Sequence, residues 1–222
     1  NNLLKQRRDD RSVALKKQKR EQEKLTSDER KQKNMLQSLK KKEKDLLAKQ
    51  KEQQKKVDAL NKKIEEMIAK QVRTTTTLTK EQQLIAGGFE ANQGRLPWPV
   101  EKGFISGYFG KHQHPVHEHV TINNKGIYLQ TVVGANARAI YEGEVSSCAQ
   151  INGNYAVIVQ HGNYRTVYSP LKKIYVKQGD KVKAKQAIGE IVTDTSEDNK
   201  TELYFQIYKD RSIINPGLWL AQ

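Results

Sequence analysis

The chain has 222 residues, of which 36% are hydrophobic and 29% are charged, and its formal net charge is +15. Cys148 is the only cysteine, which excludes an internal disulfide and a thiolate zinc cluster. The uninterrupted apolar runs reach only about five residues and are too short to span a bilayer. Residues 1–72 hold 23 Lys and Arg against 12 Asp and Glu. Because these charges interleave and no recognition motif accompanies them, they indicate a solvated helix face and not nucleic-acid binding.

The first predicted element is a coiled-coil helix over residues 1–72. From Leu36 onward a 3-4 spacing continues for five heptads, and seven of its eleven positions are apolar. These seam positions are Leu36, Leu39, Glu43, Leu46, Gln50, Gln53, Val57, Leu60, Ile64, Met67 and Gln71. A capping box at Thr26 and Glu29 leaves two interpretations open, a break near residue 26 or one continuous helix. A narrow apolar stripe cannot bury itself alone, so we expect a partner helix.

Residues 73–94 are predicted to form a linker and a short arm helix. The stretch "RTTTTLTK" ends the heptads with β-branched polar residues, which is typical of a linker. Thr79 and Gln82 form a second capping pattern, and a glycine pair is predicted to stop the helix after about residue 86. The apolar face of this arm would consist of Leu84, Ile85 and Phe89, so we expect it to lie on the domain that follows.

From residue 95 to residue 222, short strand-like runs alternate with Gly, Asn and Asp turns. Examples are "GIYLQT", "NYAVIVQHG" and "ELYFQIYK". This spacing predicts an all-β domain of short antiparallel strands. The predicted fold class is therefore α+β in separate parts, with a long coiled-coil helix followed by an all-β domain of antiparallel sheets.

Nine short motifs between residues 95 and 220 carry a family resemblance. They are "LPWPV", "SGYFG", "NNKGIYLQT", "YEGEV", "NYAVIVQHGNYRTVYSPL", "VKQGDKV", "AIGEI", "LYFQI" and "NPGLWL". In this order they resemble the LytM-type (M23) peptidoglycan endopeptidase domains. A coiled coil placed before such a domain is similar to the murein hydrolase activators.

The resemblance implies a zinc site whose ligands this chain has lost. Active members hold zinc with the His and Asp of an H-x-x-x-D motif and with the second His of an H-L-H-F motif, and two further His residues assist the chemistry. The corresponding positions here are Asn124, Tyr128, Tyr204, Glu202 and Pro170. Amides and neutral phenols are poor zinc ligands at pH 7. We therefore expect a degenerate LytM domain with no catalytic residue, no metal and no cofactor.

Four histidines in "KHQHPVHEHV" give a second possible metal site. His112, His114, His117 and His119 form two H-x-H pairs, and such pairs can bind zinc. Pro115 interrupts any strand between the two pairs, so they need not face one ion. We interpret the run as a surface loop, and adventitious binding of Zn²⁺ or Ni²⁺ stays open.

Where active relatives hold zinc, the resemblance implies a groove that binds a protein partner. Tyrosine combines a large apolar face with a polar tip, which is typical of binding hot spots. The alternative is that these tyrosines simply fill the groove as core. The predicted groove residues are Asn124, Tyr128, Tyr168, Pro170, Glu202, Tyr204 and Gln206.

The same resemblance implies the partners and the localisation. Relatives with these substitutions bind N-acetylmuramoyl-L-alanine amidases in the periplasm and remove an autoinhibitory helix from the amidase. A segment between coil and domain covers their groove until the coil, docked on a membrane ABC-type division complex, is rearranged. We therefore expect the arm of Leu84, Ile85 and Phe89 to cover the groove. Peptidoglycan is a further expected partner.

Three other functions stay open at this point. A module that only binds peptidoglycan would share the groove. A transport adaptor is indicated by "VKQGDKVKAKQAIGEI", which resembles lipoyl-like hairpins, although here the helix precedes an uninterrupted β domain. A zinc endopeptidase would require a different alignment of the ligand motifs.

Overall fold

The computed structural model describes residues 2–74, 77–113, 121–196 and 198–221. The chain separates into two compact units, Asn1–Val57 and Asp58–Gln222. The helix α1 (Asn2–Thr74) begins in the first unit and ends in the second. Among the described residues, no helix combines the length and the apolar character needed to cross a membrane.

α1 is one continuous helix, so the break near residue 26 does not occur. The sequence of this helix contains no Pro and no Gly that would interrupt it. Thr26 does not act as a cap, because its hydroxyl donates to the Gln22 carbonyl oxygen one turn earlier at 2.9 Å. Within the first unit the predicted seam is open to solvent, and Leu36 and Leu46 are 58% and 61% exposed.

The second unit contains the antiparallel β domain that the sequence predicts. Its strands are β1 (Phe104–Gly107), β2 (Gly110–Gln113), β3 (Thr121–Asn124), β4 (Ile127–Thr131), β5 (Asn136–Arg138), β6 (Gly143–Ile151), β7 (Asn154–His161), β8 (Tyr164–Ile174), β9 (Lys181–Val182), β10 (Ala187–Ile191), β11 (Thr193–Asp194), β12 (Lys200–Lys209) and β13 (Ser212–Ile214). The main sheet has the order β1-β4-β12-β8-β7-β6-β9, and β2 pairs with β3 in a second sheet. A 3₁₀ turn follows at Pro216–Leu218.

The central strands have two different faces, which β12 shows most clearly. Leu203, Phe205 and Ile207 of this strand join the main hydrophobic core. Since successive side chains of a strand point to opposite faces, Tyr204 and Tyr208 point away from that core. These two side chains are nevertheless 2% and 1% exposed, so another element covers the second face.

The helix α2 (Lys80–Ala91) begins at the predicted capping box and continues through the glycine pair. Thr79 and Gln82 make both reciprocal hydrogen bonds of the box, at 3.0 and 3.2 Å. Each Gly costs a helix about 1 kcal/mol relative to Ala, so tertiary packing must favour continuing the helix through this pair. Gly88 allows the helix to pack closely on Tyr141, because a Cβ there would collide with the Tyr141 hydroxyl.

Phe89 anchors α2 in the main core. Its ring is fully buried, with ring centroids 4.9 Å from both His161 and Tyr164 and 5.2 Å from Trp219. The two other residues of the predicted arm face do not share this position: Ile85 is half-buried and Leu84 is 79% exposed. Phe89, together with the buried Ala86, therefore holds the C-terminal half of the helix in the core.

We expect Phe89→Ala to lower the free energy of unfolding by about 3–5 kcal/mol, the usual result of truncating a buried Phe. Leu84→Ala on the same helix is the matched control and should change it by about 0.5 kcal/mol or less. Urea denaturation followed by circular dichroism of the β domain would measure both. Equal effects of the two substitutions would contradict the core position of Phe89.

His161 should make stability depend on pH between about 4 and 6.5. The ring is fully buried, its Nδ1 donates to the Glu142 carbonyl oxygen at 2.6 Å, and its Nε2 lies 2.9 Å from the Thr166 hydroxyl. Burial lowers the pKa of His161 from 6.5 to about 4. Between these values the unfolded chain binds a proton that the folded chain does not, so stability falls as the pH falls.

The expected loss from pH 7 to pH 4 is about 3 kcal/mol, since one pKa unit corresponds to 1.36 kcal/mol. Urea midpoints measured every half pH unit would show the slope. His161→Gln should flatten the slope between about pH 5.5 and 6.5, above the pH at which the ion-paired carboxylates of Glu81 and Glu90 begin to take up protons. A slope that persists in this variant would contradict the assignment to His161.

Candidate functional site

The positions that the family resemblance assigns to zinc ligands lie on or beside the second face of the main sheet, here called the outer face. Tyr204 on β12 pairs with Tyr128 on β4 and with Ser169 on β8. The two tyrosine rings stack at a centroid distance of 4.6 Å and an angle of 28°. Further along the same face, Val167 on β8 pairs with Ile158 on β7. Neighbouring strands thus place an aromatic pair beside an aliphatic patch.

The element that covers the outer face is the last part of α1, residues 60–72, here called the α1 end. Ile64 and Ile68 are 0% and 1% exposed and form a cluster with Ile158, Val167 and Tyr208. These two isoleucines are four residues apart, so they project from the same side of the helix. The α1 end therefore lies with an aliphatic stripe on the aliphatic patch.

Asn61 continues this contact as a polar anchor. Its side chain is 4% exposed, and its Oδ1 accepts hydrogen bonds from Gln206 Nε2 at 3.0 Å and from the Tyr204 hydroxyl at 3.3 Å. Gln206 Nε2 also donates to the Lys125 carbonyl oxygen at 3.1 Å. One amide oxygen of the helix thus receives the donors that point outward from β12.

Two more polar contacts fix the register of the α1 end. Glu65 pairs with the Lys125 ammonium group at 2.6 Å, and Gln71 Nε2 donates to the Ser146 carbonyl oxygen at 3.1 Å. Both members of the ion pair are about two-fifths exposed, and such pairs typically contribute 0–1 kcal/mol. The ion pair therefore orients the helix, while the buried isoleucines supply most of the binding free energy.

Most of the predicted groove residues lie on or beside the outer face. Asn124 ends β3, next to Lys125, and its Nδ2 donates to the Tyr108 carbonyl oxygen at 2.9 Å. Glu202 shares the face of Tyr204 by alternation along β12, and it accepts from the Ser106 hydroxyl at 2.5 Å. Pro170 follows Ser169 on β8 and is half-buried. Of the predicted positions, Tyr204 and Gln206 contact the α1 end through Asn61, and Tyr128 stacks on Tyr204.

Tyr168 does not belong to this surface, which corrects the predicted set. Its ring is fully buried in the main core and packs on Phe205 at a centroid distance of 5.3 Å. Its hydroxyl accepts from the Ile140 backbone N–H at 3.1 Å. The physical reason is the parity of β8: Val167 faces outward, so the next residue faces inward.

The predicted arm also takes a different position. Phe89 of α2 packs in the main core, whereas the aliphatic contacts on the outer face come from Ile64 and Ile68 of α1. The arm of Leu84, Ile85 and Phe89 is therefore not the element that the structure places on the predicted groove. The sequence did hold a signal for the α1 end: Ile68 beside Met67 widens the apolar stripe beyond a strict seam.

The donors on the outer face do not fit the zinc ion that the fold family implies. Burial raises the pKa of Tyr204 to about 12 and raises the pKa of Tyr128 above its ordinary value as well. Both phenols are therefore neutral at pH 7 and are poor ligands. The amide of Asn124 already donates to a carbonyl oxygen. We derive no catalytic step through a metal.

The other candidate metal ligands are the histidines of the predicted surface loop. His112 lies on β2, while His114, His117 and His119 lie outside the described residues. Within residues 2–74, 77–113, 121–196 and 198–221, no group of three His, Cys, Asp or Glu side chains could hold a metal.

Comparison with known proteins identifies the β domain. The sequence model of Peptidase family M23 matches residues 122–216, so this part of the chain is an M23 (LytM-like) domain. The chain is 27% identical over 138 residues to the murein hydrolase activator EnvC of Escherichia coli, covering 61% of this chain and 31% of EnvC. It is 36% identical over 96 residues to the peptidoglycan DD-endopeptidase ShyB of Vibrio cholerae, covering 41% of this chain and 22% of ShyB.

A solved structure of the SpoIIQ–SpoIIIAH pore-forming complex also matches, with 25% identity and a TM-score of 0.48. That match covers 58% of this chain and 92% of the matched chain. The chain spans about a third or less of the length of the curated relatives it matches.

Proposed function

We propose that this chain is a non-catalytic activator of cell-wall N-acetylmuramoyl-L-alanine amidases, and that its outer face binds a helix of the amidase after the α1 end has left. One observation supports the proposal: a helix of the chain itself lies on the outer face, where its Asn61 accepts a hydrogen bond from Tyr204, a position that the family resemblance assigns to a zinc ligand. A surface that accepts an amphipathic helix by an aliphatic stripe is suited to helix-in-groove recognition. The EnvC relative supports the activator class.

The contacts of the α1 end suit a cover that can be displaced. Burial of Ile64 and Ile68 contributes about 1.5–3 kcal/mol for each side chain. Moving a two-state equilibrium from 1:99 to 99:1 takes about 5.5 kcal/mol. The two quantities have the same size, so a competing helix or a signal acting on α1 can reverse the equilibrium. In this proposal α1, and not the α2 arm, controls access to the outer face.

The exposed stripe of α1 would receive that signal. Leu36, Leu39 and Leu46 are each more than half exposed, and such a stripe offers a site for another helix. We propose that a membrane ABC-type division complex docks there, in the periplasm, and that peptidoglycan is the substrate of the activated amidase.

A dye-release assay tests the activator function. Peptidoglycan labelled with a dye would be incubated with a candidate zinc amidase, with this chain, and with both. The proposal predicts release by the mixture above the sum of the two single reactions, and none by this chain alone. Release by this chain alone would contradict it.

A zinc endopeptidase is the second candidate, favoured by the similarity to ShyB. We expect isothermal titration with Zn²⁺ to show no stoichiometric site that depends on Asn124, Tyr128 or Tyr204, because amide and neutral phenol groups bind zinc poorly. The matched positive control is the triple substitution Asn124→His, Tyr128→Asp and Tyr204→His, which should create a site. If the unaltered chain binds Zn²⁺ stoichiometrically and Asn124→Ala abolishes that binding, the result would favour the peptidase.

A further inference from the structure

The outer face contains a buried cation without a full set of partners. Arg165 is 2% exposed and lies on β8, where it pairs across the sheet with Gln160 on β7 and Tyr208 on β12. By alternation its side chain leaves β8 on the same side as Val167, which contacts the α1 end. Arg165 therefore faces the side of the sheet that the α1 end covers.

Two nitrogen atoms of the guanidinium group lack acceptors in this closed arrangement. Within the described part of the chain, neither Nε nor Nη1 of Arg165 has a hydrogen-bond acceptor. The charge of Asp210 acts on Arg165, but it does not supply these missing bonds. Burying a charged group without its hydrogen bonds destabilises the arrangement that buries it.

The α1 end has two carboxylates, and neither has a described contact with Arg165. Glu65 forms an ion pair with Lys125, and Glu66 is exposed to solvent. Arginine presents donors in a planar fork that matches a carboxylate with two parallel hydrogen bonds. A helix with an acidic side chain opposite Arg165 would therefore bind the outer face better than α1 does.

We propose that the helix which replaces the α1 end carries a carboxylate that pairs with Arg165, and that this pair gives the partner its advantage over α1. The inference rests on the proposed function and names the chemistry of the partner. The remainder of the partner helix follows the pattern of α1, with an acceptor side chain at the place of Asn61 and aliphatic residues three and seven positions later, as at Ile64 and Ile68.

Peptide binding to the full chain tests this inference. The opened chain carries Ile64→Ala and Ile68→Ala, which remove the aliphatic contacts but keep helix-forming residues. The probes are fluorescein-labelled peptides that copy residues 58–73, with Glu placed singly at 67, 69, 71 or 72. Each Glu peptide has a Gln twin of the same shape and no charge. Fluorescence anisotropy gives the Kd of every peptide.

We expect at least one Glu peptide to bind the opened chain tenfold or more tightly than its Gln twin, which corresponds to about 1.4 kcal/mol. Arg165→Gln in the opened chain should abolish that preference. The same substitution should leave the thermal midpoint of the otherwise unaltered chain equal or higher, because it removes a buried charge that lacks acceptors. These three results together support the inference.

Two results would overturn it. One is equal binding of every Glu peptide and its Gln twin, and the other is a preference that survives Arg165→Gln. Soluble muropeptides should be tested separately, since their stem carboxylates could also pair with Arg165. Muropeptide binding that depends on Arg165, without any preference for Glu peptides, would assign this residue to a cell-wall ligand and contradict the proposed helix partner.

Amidase activation separates this inference from the proposed function. An opened chain that activates an amidase but shows no preference for Glu peptides refutes only the role of Arg165. An opened chain that neither binds the copy of residues 58–73 nor activates an amidase refutes the proposed function itself.

Discussion

Replacing Ile64 and Ile68 with Ala is expected to convert the chain into a constitutive amidase activator. Both side chains are fully buried on the outer face, and truncation of a buried Ile typically costs about 2–5 kcal/mol. Two truncations together cost about 4–10 kcal/mol, a range that includes the 5.5 kcal/mol needed to invert a 99:1 equilibrium. We therefore expect amidase activation in the dye-release assay to rise by at least tenfold at equal protein concentration.

The matched control uses the same chemical change at exposed positions of the same helix. Leu39→Ala and Leu46→Ala also remove two aliphatic side chains from α1, but these side chains are 57% and 61% exposed. The control should leave activation within about twofold of the unaltered chain. Activation that stays low in the Ile64 and Ile68 variant, while circular dichroism shows a folded β domain, would contradict control by the α1 end.

Replacing Tyr204 with Ala in the opened chain is expected to weaken partner binding by about thirtyfold or more. Tyr204 stacks on Tyr128, and its hydroxyl donates to the helix that occupies the face. Central aromatic residues of this kind typically contribute 2 kcal/mol or more to an interface, which corresponds to about thirtyfold in Kd. The labelled copy of residues 58–73 and the amidase should both lose affinity, because both use the same surface.

Tyr108→Ala serves as the control for Tyr204→Ala. Tyr108 is 66% exposed, and the contact described for it uses its backbone carbonyl oxygen, which the substitution keeps. Its side-chain truncation should change the Kd less than twofold. If Tyr204→Ala weakens the peptide but leaves amidase activation unchanged, the amidase binds elsewhere on the domain.

The fold was accessible from the sequence because its signals are local. Alternating apolar residues, turn residues between short runs and the capping box at Thr79 and Gln82 predict the strands and the start of α2, and these features are present. The continuous α1 was one of two interpretations. The glycine pair at 87–88 led to a predicted helix end that is too early, because the packing of Tyr141 on Gly88 is a tertiary contact that no local pattern contains.

The site was less accessible, for two physical reasons. An apolar stripe on a helix is the same whether it packs on a helix or on a sheet, so Leu60 and Ile64 were assigned to a coiled-coil seam although the β domain covers them. Tyr168 was assigned by its motif, but a shift of one residue along a strand reverses the face. Once Val167 is known to face the α1 end, alternation along β8 places the next residue, Tyr168, in the core.

Hydrogen exchange of the full chain, with and without an amidase that it activates, would show whether the α1 end leaves the outer face. The α1 end and the amidase helix are proposed to occupy the same face in turn. Binding of the amidase should therefore speed amide exchange in residues 61–72 at least tenfold, while β8 and β12 keep their protection. Unchanged protection of residues 61–72 in an amidase-saturated, activating complex would contradict the account.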